Sequence, residues 1–370
     1  MQFIIASATI AVGCLIGLVF AVRASIRSGK KLLPIILSVL LLGAVSSLCF
    51  SIIRCIPEKI APIAWTSGLN GYYDLVVMEN GDAYSGKMIN GKMNGQGTLT
   101  YADGSIYTGQ FLMNRRNGNG VYRDCTGYEY DGQWENDQMH GTGTYKFANG
   151  DVYVGNFSHN VLSGIGKMNY GNGDKYDGLF SRSAMNGFGI YSYANGDKYT
   201  GGFSDNYRSG EGQIIFADGS IYDGTWKNDM RNGRGKFTFS DGSIYIGAFA
   251  DDRENGYGVL HSCEGWKYEG QWKNGMRNGK GKITYKDTSC YDGDWVDNQK
   301  SGSGTHTYFD KNGEYMGKYE GQFSNGMRSG YGEFYDVSGE IKKGEWRNDS
   351  LIIAIQKKYK AVDKGGKIEA

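Results

Sequence analysis

From Tyr222 the chain reads YDGTWKNDMRNGRGKFTFSDGSIY, with Tyr222, Gly224 and Trp226 on one side of a period-two alternation and Asp223 and Thr225 on the other. A period of two belongs to a strand, because successive strand side chains point to opposite faces. After the tip KNDMRN the alternation resumes, with Gly233, Gly235, Phe237 and Phe239 on one face and Lys236 and Thr238 on the other. SDGS then supplies a tight turn, its Asp-Gly pair suited to the positive backbone angles of a hairpin. The pattern predicts a β-hairpin with one aromatic and one polar face.

The unit repeats every 23 residues: Tyr84, Tyr107, Tyr130, Tyr153, Tyr176, Tyr199, Tyr222, Tyr245, Tyr268 and Tyr291 follow in register, and after five extra residues the register resumes at Tyr319. Glycine stands two, eleven and thirteen residues after each, and from Tyr107 on an aromatic stands four after, as Phe111, Trp134, Trp226, Trp272 and Trp295. YYDLVVMENGDAY upstream reads as half of a degenerate unit, and KKGEWRND from Lys342 as a truncated one. A solitary hairpin is marginal in water, so the copies must stack. The expectation is an all-β repeat array over residues 72–350, an elongated single-layer antiparallel sheet of about eleven hairpins. The glycines make room for a ring from an adjacent strand. Exposed rings on a one-layer sheet also predict a homodimer, since so apolar a face usually needs cover.

The first sixty residues break the pattern. Residues 3–22 and 32–53 are uncharged runs, each long enough to cross a bilayer as a helix of about 20 residues, and only RASIRSGKK separates them. Residues 1–55 therefore read as a transmembrane hairpin, 56–71 as a linker and the whole as a multi-pass membrane protein. Four basic residues in the connecting loop against Arg54 and Lys59 after the second run place the array outside by the positive-inside rule. The tail, 351–370, reads as a capping helix with Leu351, Ile352 and Ile355 turned inward.

Composition agrees with a sheet: 59 glycines and 28 tyrosines accompany 3 prolines, all before residue 63, whereas disordered glycine-rich chains carry proline and few aromatics. A net charge of +1 excludes nucleic-acid binding by bulk phosphate neutralisation. The six cysteines form no CxxC pair and read as small buried side chains. GMRNGKGKITY lacks the spacing of a phosphate loop, so no nucleotide or other cofactor is expected. His140, His159, His261 and His306 fall in different units at mostly different offsets and are expected not to converge on a metal or act as a base. Arg116, Arg208, Arg231, Arg277, Lys300 and Arg328 share one offset, nine after the tyrosine. They predict a basic edge of hairpin tips able to meet anionic lipid, beside acids such as Asp229, Asp252 and Glu254. Asp131, Asp177, Asp223, Glu269, Asp292 and Glu320 share the polar face with Lys236 and Lys282, where cross-strand ion pairs are expected to contribute little.

The unit Y-x-G-x-(W/F)…G-x-G, from residue 84 to about 350, resembles the MORN (membrane occupation and recognition nexus) repeat. The resemblance implies an elongated single-layer sheet, membrane tethering, scaffolding and dimerisation, and a cytosolic array rather than the external one that the charge count favours. Similar repeats also precede lipid-kinase and methyltransferase domains, and neither is expected here. The chain is thus expected to be a membrane-anchored, non-catalytic scaffold that binds an unidentified protein, with an anionic-lipid tether or an accessory module of enzyme signalling as alternatives. Tyr107, Tyr130, Tyr268 and Tyr291, with the aromatics four residues beyond them, are its structural residues.

Overall fold

In the computed structural model of the chain, which describes residues 63–66 and 68–354, every regular element is a strand. No helix among the described residues is long and apolar enough to cross a membrane; the runs at 3–22 and 32–53 lie outside the described residues. The chain divides into two units, each taken by itself. In one, the short strand Ile63–Ala64 runs parallel to the end of Gly71–Val77, with Ile63 opposite a buried Val76. The other is the array. From Ala83–Ile89 to Ser350–Ala354 each strand pairs antiparallel with the next, giving one elongated layer of stacked hairpins.

The hairpin at Tyr222 shows how the sequence builds a unit. Strands Ile221–Lys227 and Met230–Thr238 are joined by Asn228 and Asp229, with φ of 49° and 66°. Two consecutive positive φ values make a type I′ turn, which Asn and Asp tolerate. The tightest turn therefore lies here and not at SDGS, where Gly242 alone is left-handed (φ 89°) and Asp241 Oδ1 accepts the Ser243 amide at 2.7 Å. Met230 and Arg231 belong to the strand, opposite Lys227 and Trp226. Beyond them Asn232–Arg234 face the single Thr225, and the regular ladder returns where Gly224 meets Gly235. Such bulges sharpen the local twist.

Tyr222 lays its ring over this glycine pair. Its hydroxyl donates to the Thr225 carbonyl at 2.9 Å, a methyl at Gly235 would overlap the ring, and one at Gly224 would strike the Gly235 backbone. The ring over each pair comes from the unit's own tyrosine, not from a neighbouring unit. Tyr107, Tyr130, Tyr268 and Tyr291 make the same bond, at 2.8–2.9 Å.

Trp226 stands edge-on both to Tyr222 (5.2 Å, 86°) and to Tyr199 of the preceding unit (5.3 Å, 82°), and its indole N–H donates to the Gly212 carbonyl at 3.0 Å. Phe111, Trp134, Trp272 and Trp295 repeat the arrangement, so that edge-to-face contacts run without a gap from Tyr84 to Trp346. Each pair contributes about 0.5–1.5 kcal/mol beyond its buried area. Every repeat tyrosine is at most 1% exposed. One layer thus carries a core on one face, and the uncovered repeat rings from which dimerisation was expected are buried.

Side chains also join the units along both edges. At the tips, Arg231 N–H donates to Asp252 Oδ1 of the next turn at 2.8 Å. At the opposite edge, Asp174 Oδ1 and Asp197 Oδ1 accept the amides of Ala194 and Ala217 at 2.8 Å, and Ser243 Oγ accepts that of Cys263 at 3.1 Å. The five extra residues after Tyr291 lengthen a hairpin, with strands Gln299–Phe309 and Tyr315–Ser324, and the ring contact Tyr291–Phe323 (4.8 Å) survives. At the far end, Ser350–Ala354 is a strand on Ile341–Arg347, not the start of a helix, and Ile352 is 56% exposed instead of turned inward. Ile355 lies outside the described residues. Unpaired groups on the last edge strand recruit the next residues as one more strand.

Two outcomes test this core. Gly235→Ala must lift the Tyr222 ring and is expected to lose about 3 kcal/mol, while Gly242→Ala, which meets open space at φ 89°, loses about 1 kcal/mol; urea unfolding of both variants gives the order. Burial pushes the phenols of Tyr84, Tyr222 and Tyr268 from 10.0 up to about 12. The folded state then keeps protons that the unfolded state releases, so this stability is complete below pH 10 and is lost as pH rises through 12. Phenolate absorbance and circular dichroism recorded together should show the repeat tyrosines ionising only as the sheet melts; their full ionisation on an intact sheet would contradict the burial.

Candidate functional site

Each tip turn docks on the hairpin before it, through pairs that recur 21 residues apart from Met93–Asn114 to Arg328–Asp349. Four members of the basic row use this contact twice over. Arg116, Arg208, Arg231 and Arg328 place Nε 3.1–3.3 Å from the carboxylates of Asp137, Asp229, Asp252 and Asp349, and Nη2 donates to the carbonyl of the same residue. Arg277 treats Asn298 alike. The guanidinium carbons lie over rings of the following unit, 4.1 Å from Trp134 for Arg116, 4.2 Å from Trp226 for Arg208 and 4.6 Å from Trp295 for Arg277. A desolvated cation over a ring contributes up to about 2 kcal/mol.

Lys300 has Gly326 at the docked turn in place of an acid, and packs over Tyr285 and Tyr291 with Nζ 3.4 Å from His306 Nδ1. Burial pulls the Lys300 ammonium down to about 8, and pulls His306, further discouraged by Lys300, down to about 4. The row inferred from the sequence therefore exists, but its charges rest on the aromatic face. The four aspartate-paired arginines keep 18–20% of their side chains exposed. On the polar face Lys167 meets Asp177 at 2.8 Å, and Lys236 and Lys282 stand opposite Asp223 and Glu269 in the ladder.

The row has a gap. In the three successive units from Tyr130, Tyr153 and Tyr176 the cation's position holds Met139, Leu162 and Met185. Asn160, Ser183 and Asn206 still accept their amides, at 2.8, 3.1 and 2.8 Å, so the units dock as elsewhere. What is missing is the guanidinium cover, and a groove of about 560 Å³ opens on the aromatic face. Met168 completes its floor; Tyr170 and Tyr191 line it, and Asp151 adds a carboxylate. Tyr191 donates its hydroxyl to Asp174 Oδ2 at 2.9 Å, and burial together with that carboxylate raises its phenol. A larger depression, about 950 Å³, lies on the polar face between Lys280 and Tyr331, lined mostly by charged and hydroxyl side chains and glycine. The Met139–Met185 groove is the better candidate, because binding sites are typically concave and mostly apolar with a few placed polar groups.

Sequence reasoning passed over this groove because it followed where the row is occupied. The three successive apolar residues at the same offset were the signal. His140 and His159, expected to stand apart, have ring centroids 5.4 Å from each other. Docking sets the tenth position of one unit beside the sixth of the next, so equal offsets are not the ones that meet. His261 is exposed and His306 half-buried. Cys125 and Cys263, expected to be buried, are exposed in the turns between units, and Cys290 is half-buried.

The model of the MORN repeat matches this chain eleven times, at residues 84–106 and 107–127, in consecutive copies from 130–152 to 291–313, and at 319–341. No protein of curated function matches the chain. Among solved structures, the TCP10 domain of Danio rerio CPAP in complex with a STIL peptide is 12% identical, covering 67% of this chain and 98% of that one at a TM-score of 0.33. The SAS-4 (dCPAP) TCP domain of Drosophila melanogaster, in complex with a proline-rich motif of Ana2, is 16% identical over 40% of this chain and 82% of that one, at 0.27. A streptogramin B lyase is 12% identical over 69% and 84%, at 0.13. Likeness this loose transfers neither an activity nor a partner.

Proposed function

The chain belongs to the MORN repeat family, and we propose that it works by binding, as a scaffold whose site is the groove over Met139, Leu162 and Met185. Its ligand is a segment of a protein partner that inserts apolar side chains. Three successive units without the covering cation carry this proposal, since together they join a continuous apolar floor to intact docking through Asn160, Ser183 and Asn206. Methionine floors adapt to irregular apolar anchors, and grooves of this kind take a peptide by a few such anchors.

A phospholipid tether is less well supported. Asp151 lines the groove and Asp174 stands beside Tyr191, where an anionic headgroup would meet like charge. Five of the six basic residues of the row are engaged in the docked turns. Residues 3–22 and 32–53 are taken as a membrane hairpin that holds the array at a bilayer surface, on the strength of two uncharged runs of spanning length.

Met139→Arg with Met185→Arg tests the site, because the new guanidinium groups face Asn160 and Asn206 as Arg277 faces Asn298, and fill the groove without disturbing the turns. With a photo-reactive phenylalanine analogue in place of Tyr170, the full chain in cells should give a discrete protein adduct that the double variant weakens about tenfold or more. Adducts to lipid in place of protein, or a protein adduct indifferent to the double variant, would sink the proposal. Deleting residues 1–55 should release the array from carbonate-washed membranes; retention without them would refute the anchor.

A further inference from the structure

We propose that Glu135, His140 and His159 form a binding site for a divalent transition-metal ion, with Zn²⁺ as the ion best suited to it. Glu135 ends strand Glu129–Glu135, His140 lies in strand Gln138–Lys146, and His159 opens the tip turn after strand Val152–Ser158. That turn docks on the earlier hairpin through Asn160 N–H to the Met139 carbonyl (3.0 Å) and Met139 N–H to Asn160 Oδ1 (2.8 Å). The docking is common to the array, and elsewhere it sets an amide against a carboxylate: Asn186 Nδ2 donates to Asp205 Oδ1 at 3.3 Å, and Asn278 Nδ2 to Asp297 Oδ1 at 3.2 Å. Here the same two positions hold imidazoles, and Glu135 joins them.

The donor set and its spacing suit a metal. One ligand atom from each of the three side chains lies within 4.8 Å of the other two. His140 Nδ1 and Glu135 Oε2 are 3.6 Å apart, close to the ~3.3 Å that separates neighbouring ligands of a tetrahedral ion with bonds of about 2.0–2.1 Å. His140 Nδ1 is buried without a hydrogen-bond partner, which is the state of a nitrogen whose partner is an ion. Ser158 Oγ lies 3.1 Å from His159 Nδ1, and an outer hydroxyl of this kind holds a ligating ring in orientation. Glu135 and His140 remain 52% and 40% exposed, so an ion and its remaining water ligands can enter from solvent. Two imidazoles with one carboxylate favour zinc over calcium or magnesium, which take oxygen ligands.

A bare ion pair between Glu135 and His140 would account for two of these groups but leaves the second imidazole, supplied by the next unit, without a role. A bound ion would tie the units from Tyr130 and Tyr153 together at a step where the row lacks its arginine, since Met139 stands there. The metal site rests on its own geometry and stands whether or not the groove binds a protein.

The test uses the full chain with all cysteines alkylated, so that no thiol competes for the ion. Calorimetric titration with Zn²⁺ should show about one ion per chain at micromolar affinity, with a rise in the melting temperature. His140→Asn and His159→Asn restore the residues that Asn186 and Asn228 provide in other units, and so preserve the turn. Each should weaken binding about thirtyfold or more and abolish the thermal shift, and Glu135→Gln should weaken it about tenfold. Equal affinity in His159→Asn and the native chain, or no binding by the native chain beyond that of a chain carrying both His140→Asn and His159→Asn, would leave an ion pair only and overturn the site.

Discussion

A tyrosine ring lying flat on two paired glycines is the contact on which the array depends. A single-layer sheet has no second layer to bury its apolar face, and rings standing upright on it would face water. Folding each ring down over Gly–Gly, as Tyr222 does over Gly224 and Gly235, turns the backbone itself into the opposing surface. The hydroxyl is satisfied by a carbonyl three residues on, and the polar end of the side chain costs little to bury. The glycines have no other explanation that requires them in facing pairs at each step.

Once the rings lie down, the next aromatic can stand edge-on between two of them, and the units become coupled. The tip turns then bring a side-chain acceptor to the preceding strand, and where that strand carries arginine the guanidinium closes over the ring. The cation row is therefore a covering of the core before it is anything else. Its three-unit interruption changes the chemistry of one face without changing the fold, because docking uses the backbone amide and the turn residue, neither of which depends on what stands at the ninth position.

Much of this was legible in one dimension. Period-two alternation within the unit and the 23-residue period between units fix strands, their pairing and the ringed face, and the MORN resemblance agrees with both. The rest failed for identifiable reasons. Asn228–Asp229 and Asp241–Gly242 are both turn formers, and local chemistry alone does not say which takes two positive φ angles. Alternation places Tyr222 and the glycines on one face, and does not say that the ring lies over the pair in its own unit. Arg231 reaches Asp252, and His140 meets His159, because neighbouring units are offset; a comparison of equal positions hides contacts between unequal ones. Ser350–Ala354 is apolar enough to suggest a helix, and only the presence of an open sheet edge makes it a strand.

The ladder of rings and turns has one more consequence. The contacts that join units link neighbours along the chain, none of them between residues much more than one repeat apart, and nothing described in the array links units that are distant in sequence. Such a chain has low contact order for a β protein, and slow closure of long loops is not part of its assembly. Each hairpin can add to the last as it leaves the ribosome, and under tension the stack would come apart one hairpin at a time from an end. The array is in this sense a polymer of hairpins, able to lengthen or shorten by whole units in evolution while the neighbours keep their contacts.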